Sequence, residues 1–114
     1  MVVYELTDDD VNRIFQALAD ATRRDIVSRV MHEGLSVSTL ASDYEMSFAA
    51  VQKHVSVLER ASLVTKRRQG REQIVDGNVD ALRRAGELLG AFEEIWQQRA
   101  MRIAEILDEE GEGA

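Results

Sequence analysis

The chain has 114 residues, 45% of them hydrophobic and 31% charged, with a formal net charge of −7 and neither cysteine nor proline. This size and balance fit one folded domain with a modest core, and the missing thiols exclude disulfides, thiol redox sensing and thiolate metal sites. No apolar run approaches the roughly 18 residues of a membrane span, and residues 1–10 turn acidic without a basic n-region, so no secretory signal is expected and the cytoplasm is the expected compartment.

Thr7 followed by Asp8, Asp9 and Asp10 predicts a helix start: threonine caps, and the acids match the positive end of the helix dipole. Leu6 and Val11 take the hydrophobic staple positions, and Val11, Ile14, Phe15 and Leu18 follow helical spacing. Asp20 caps a second helix with the stripe Ile26, Val27, Val30, Met31, ended by Gly34. Ser36 caps a short third helix holding Val37, Leu40 and Ala41, and a break follows at Asp43, Tyr44, Glu45 and Met46.

Ser47 caps a fourth helix, residues 47–61, again with staple residues Met46 and Val51. Val51, Val55 and Leu58 form its inward stripe, while Phe48, Ala49, Gln52, Lys53 and Ser56 project from the other side. Two short helices joined by a tight turn, the second with a polar outer face, make a helix-turn-helix pattern. Residues 64–75 then read as a β-hairpin turning at Gly70, with Arg67, Arg68 and Arg71 near its tip. A second turn follows at Asp76, Gly77 and Asn78.

From residue 79 to about 109 the pattern is one long helix of roughly 45 Å at 1.5 Å per residue. Val79, Leu82, Gly86, Leu89, Phe92, Trp96, Ile103 and Ile106 recur along it every three to four residues. Residues 108–114 are acidic and glycine-rich and are expected to fray, with 111–114 a flexible tail to a domain at 1–110. So long an apolar stripe exceeds what a small body can cover, and an open stripe is an interaction surface. A two-fold homodimer is the economical answer, with Leu82, Gly86, Leu89, Phe92, Trp96 and Ile103 at the interface and Val11, Ile14 and Phe15 of the first helix assisting. Gly86 and Gly90, four apart on one face, either admit close approach of the copy or mark a local break. Trp96 serves packing or, alternatively, ligand recognition.

The fold class expected is therefore mainly α with a small β-hairpin wing, in the order α-α-α-α-β-β-α. Nothing in the chain supports catalysis. The only histidines are His32 and His54, no serine is placed beside either, and Gly70 stands too isolated for a phosphate-binding loop. The Asp8, Asp9, Asp10 run lacks the alternation of a calcium loop, and no metal site or cofactor is expected.

The net charge is unevenly spread. Residues 1–46 carry 4 basic and 9 acidic side chains, residues 47–73 carry 6 and 2, and residues 74–114 carry 4 and 10. On charge alone the basic segment is either a solvated loop or the one face offered to a polyanion. Against duplex DNA, the fourth helix begins with amides suited to a phosphate at Ser47. Gln52 has the groups to pair with adenine, and Lys53 reaches a guanine edge or a phosphate. Phe48 either meets a thymine methyl or packs on the preceding helix. His54 either makes a structural hydrogen bond or contacts a phosphate. Lys66, Arg67, Arg68 and Arg71 flank the adjacent backbone or enter a minor groove.

"LADATRRDIVSRV", "SVSTLASDYEMSFAAVQKHVSVLERASLV" and the hairpin "TKRRQGREQIV" together resemble the ArsR-type winged helix-turn-helix regulators, over about residues 11–107. The resemblance implies a homodimeric transcription regulator, usually a repressor, bound to an inverted-repeat operator. It puts Phe48, Ala49, Gln52, Lys53 and His54 on the recognition helix and Arg67, Arg68 and Arg71 on the wing. Metal-sensing members carry a cysteine motif on the third helix or acidic and histidine ligands on the last. Here "SVSTLASDY" has no cysteine and the last helix no histidine, so the chain is similar to the non-metal branch, whose members have a tryptophan in the last helix. Ala21 and Ala49 stand where the family commonly has proline. Ser62 stands at a frequent glycine, a cost if the backbone there is left-handed. Phe48 replaces a commonly polar residue, so the operator cannot be borrowed from relatives. Two other readings stay open: a winged-helix module that binds protein instead of DNA, and a small-molecule inducer seated near Trp96.

Overall fold

The computed structural model describes residues 6–112. The chain divides into two compact units, residues 1–83 and residues 84–114. Its elements are α1 (Asp8–Ala17), α2 (Ala21–His32), β1 (Leu35–Ser36), α3 (Val37–Tyr44), α4 (Phe48–Arg60), β2 (Val64–Gln69), β3 (Glu72–Gly77) and α5 (Val79–Glu112).

Each of the first four helices starts where a capping side chain meets an orphan amide. Thr7 and Asp10 form a reciprocal capping box, with the Thr7 hydroxyl accepting from Asp10 N at 3.1 Å and the Asp10 carboxylate accepting from Thr7 N at 3.0 Å. Asp20, Ser36 and Ser47 accept from the amides of Arg23, Thr39 and Ala50 at 3.0, 3.0 and 3.1 Å.

The C-terminal ends need a different device. Ser62 follows α4 at φ 61° and Glu45 follows α3 at φ 54°, both in the left-handed region that favours glycine. The backbone bonds Leu63 N to Leu58 O (3.0 Å) and Ser62 N to Glu59 O (2.9 Å) complete a Schellman closure around Ser62. The position that the family often gives to glycine therefore does need a left-handed residue here, and serine fills it at a steric cost.

Arg23 and Arg24 have a role the sequence did not disclose. Arg23 donates through Nε to Ala17 O (2.7 Å) and through Nη2 to Gln16 O (3.0 Å), and Arg24 Nη1 donates to Leu18 O (2.7 Å). The start of α2 thus supplies the cations that the last turn of α1 lacks.

The core of the first unit is formed by Ile26, Leu40, Val51, Val55, Leu58, Leu63, Val64 and Val75, all essentially inaccessible. Burying each such side chain is worth about 1.5–3 kcal/mol. Ile14, 2% exposed, belongs to this buried set. Its expected place at the dimer interface is corrected: the i, i+3, i+4 stripe of α1 turns Ile14 inward and leaves Phe15 outward. The sheet is three-stranded and antiparallel in the order β1-β3-β2. Leu35 pairs with Val75 and Ser36 with Ile74, while β2 and β3 form the hairpin, with Arg68 opposite Gln73. The strand β1 was absent from the sequence reading because two residues are too few for any alternation to register.

Asn78 fixes the first turn of α5: its amide nitrogen Nδ2 donates to Ser62 O (2.8 Å) and its Oδ1 accepts from Ala81 N (3.4 Å). The helix runs without a break through Gly86 and Gly90, and a Cβ at either glycine would meet no atom within 4 Å. Residues 108–112 are helical, and residues 113 and 114 of the expected tail lie outside the described residues. No helix among the described residues is long and apolar enough to cross a membrane.

Candidate nucleic-acid interface

The inward stripe of α4 fixes its outward one. With Val51, Val55 and Leu58 buried, Phe48, Ala49, Gln52 and Lys53 are all exposed, while His54 and Ser56 are half-buried at the margin. Phe48 retains 48% of its surface, so an apolar ring stands in water at the first turn. An open groove of about 300 Å³ lies between this turn and the hairpin, bordered by Ser38, Phe48, Gln52, Arg68, Arg71 and Gln73.

The cations of the hairpin and of the exposed face of α4 fall into two sets. Lys66 pairs with Glu59 of α4 at 3.3 Å, which ties β2 to the helix. Arg67 Nε donates to Asp76 at 2.7 Å and Nη1 to Gln69 at 2.9 Å, which braces the hairpin internally. Lys66 and Arg67 are adjacent on β2 and point to opposite faces, and each meets an acid on its own side. The side chains of Lys53, Arg68 and Arg71, by contrast, make no ion pair or hydrogen bond among the described residues. Gly70, at φ 62°, makes the tight turn that places Arg68 and Arg71 on either side of the hairpin tip. Surface pairs of this kind are worth little in stability; here they decide which cations are left unneutralised.

His54 is not on the groove. It lies near Asp20, whose carboxyl is held below the usual carboxylate range first by the Arg23 amide, then by the charges of Arg23 and His54. Its imidazole makes no hydrogen bond among the described residues. Gln73 was missed from sequence. Its Oε1 accepts from Gln52 Nε2 at 3.3 Å, joining β3 to the exposed face of α4. The hairpin turn at Gly70 was signal enough to put Gln73 opposite Arg68, but a lone glutamine in a strand carries no charge to attract notice.

The second candidate surface is on α5. Leu89, Phe92, Trp96 and Ile103 are exposed, as are Ile95, Met101, Ile106 and Leu107, and Leu82 in the first unit is 37% exposed. Of the α1 residues expected here, Phe15 is exposed and Val11 half-buried. No group of three metal-ligating side chains converges among the described residues.

Residues 18–67 match the family model described as a helix-turn-helix domain. The chain is 36% identical over 101 residues to the HTH-type transcriptional regulator Rv2034 of Mycobacterium tuberculosis, covering 89% of this chain and 92% of that protein. Among solved structures, the ArsR family transcriptional regulator RHA00566 superposes with a TM-score of 0.72 at 30% identity, over 85% of this chain and 97% of that one. The homodimeric winged helix-turn-helix DNA-binding domain of Mb0332 from Mycobacterium bovis shares the fold at 22% identity and a TM-score of 0.63, over 81% and 92% of the two chains. With the helix-turn-helix, the basic hairpin and these relatives in agreement, the chain belongs to the ArsR-type winged helix-turn-helix transcriptional regulators, a family of DNA-binding proteins and not of enzymes.

Proposed function

We propose that the protein is a cytoplasmic homodimeric repressor that binds an inverted-repeat operator, with α4 in the major groove and the β2–β3 hairpin as its wing. The observation that carries this reading is the pair of unpaired cations Arg68 and Arg71 on the groove beside Phe48, with Lys53 unpaired and exposed on the Ser47-capped helix α4. Phosphates replace the missing counter-charges. Gln52 reads a base edge, and Phe48 meets a thymine methyl. Metal sensing has no part in this reading, which is supported by the lack of cysteine in the sequence.

The second copy is recruited through α5. Leu82, Leu89, Phe92, Trp96, Ile103 and Ile106 fall on the a and d positions of one heptad frame, with Arg99 at a d position. A parallel pair would set Arg99 on its own copy inside the seam. An antiparallel pair centred away from Arg99 instead keeps the two guanidinium groups apart. Trp96 is the single tryptophan, so its fluorescence reports on any small molecule that enters this surface.

The test is titration into DNA from upstream of the protein's own gene, beside scrambled DNA, at two salt concentrations. The reading expects tight, salt-sensitive binding with preference for the upstream fragment. Equal, salt-insensitive binding to both, or none, would overturn it and favour a protein-binding winged helix.

A further inference from the structure

We propose that Gln73, on the wing strand, is a positioning residue that sets the specificity of Gln52; the inference rests on the reading of Gln52 as a base-contacting residue. Gln52 is exposed and its long side chain has many rotamers in water. Its one partner among the described residues is Gln73, whose Oε1 accepts from Gln52 Nε2 at 3.3 Å. This bond uses one of the two amide hydrogens and nothing else. Gln52 keeps its second N–H and its Oε1 free, one donor beside one acceptor, which is the pair that adenine's N7 and N6 amino group require.

Gln73 is well placed for this role. It is half-buried on β3, directly across from Arg68, in the hairpin that Arg67 and Asp76 brace. The acceptor is therefore carried by a stiff element and not by a loop. Holding Gln52 against this strand removes part of the ordering cost of binding. The wing thereby takes part in base choice without touching a base.

The readout is the ratio of affinities between a duplex selected by the wild-type protein from a randomised pool and the same duplex with one adenine replaced. Gln52→Ala should collapse that ratio at one base pair. Gln73→Leu should lower it at the same pair by about fivefold, the net worth of one neutral hydrogen bond, and add nothing in a Gln52→Ala background. Gln73→Glu, which keeps the acceptor, should hold the ratio even if its charge weakens binding overall. Thermal melts confirm that each variant is folded. A ratio lowered by Gln52→Ala but untouched by Gln73→Leu would overturn the inference and leave the base reading standing. An equal effect of Gln73→Leu in the Gln52→Ala background would show that Gln73 contacts the base itself, which also overturns it. If Gln52→Ala changes no ratio, the base reading falls and the inference falls with it.

Discussion

The first unit has a closed apolar core, in which Ile26, Leu40, Leu58 and Leu63 have no accessible surface. Along α5 beyond residue 84 large apolar side chains are outside, with Phe92, Ile95, Trp96 and Met101 between 62% and 64% exposed. The first unit closes its own core and leaves cations uncompensated at Lys53, Arg68 and Arg71. The second is a single helix that closes nothing by itself. An uncompensated charge asks for a polyanion, and an uncovered heptad stripe asks for another helix. The two surfaces thus want chemically different partners, and each can be disabled without touching the other.

The largest effect should come from the stripe. Phe92→Glu places a charge in the seam and should leave a monomer in sedimentation, with operator affinity down by about 10²-fold or more as bivalency is lost. The folded first unit should keep its thermal transition, which separates failed pairing from failed folding. Next is the wing. Arg68→Ala with Arg71→Ala should weaken binding to every duplex and flatten the dependence of log K on log salt by about 3–4 for the dimer. Arg67→Ala should flatten it less, because its guanidinium is committed to Asp76. An equal change for Arg67 would show that the intramolecular pair opens on DNA.

Smaller effects test how the first unit holds together. Arg23→Ala removes charged donors from the end of α1 and should lower urea stability by about 2 kcal/mol, with the salt slope unaltered. Ser62→Gly relieves a left-handed serine and should raise stability by about 0.5–1 kcal/mol. Acid should act on the caps. Asp10 and Asp20 are held below their ordinary 3.8 by the Thr7 and Arg23 amides respectively, so the folded state binds these protons less readily than the unfolded one. Their contribution is present above 3.8 and is lost as pH falls through the lowered values. A melting temperature flat through that range would remove the caps from the account.

Much of this was legible in the sequence because it follows from local rules. Thr7, Asp20, Ser36 and Ser47 marked four helix starts, and Gly70 marked the hairpin, since a cap or a tight turn is decided by a few adjacent residues. What was hidden depended on tertiary placement. Arg23 reaching back to Ala17, Lys66 pairing with Glu59, and Gln52 meeting Gln73 join residues whose proximity no periodicity reports. The four hairpin and wing cations looked equivalent as a charge count, and only the tertiary positions of Glu59 and Asp76 separate the paired from the free. The stripe of α5 was legible as apolar, yet Ile14 of α1 was given the same role wrongly, because a helical stripe does not say whether it meets the chain's own core or a second copy.

The most direct test of the central claim is the stoichiometry and salt slope of the complex on the preferred duplex, measured together by sedimentation and titration. Two chains per duplex, with log K falling by about 5 per unit of log salt, is the result expected from three free cations on each of two protomers. One chain per duplex, or a slope near zero, would contradict it.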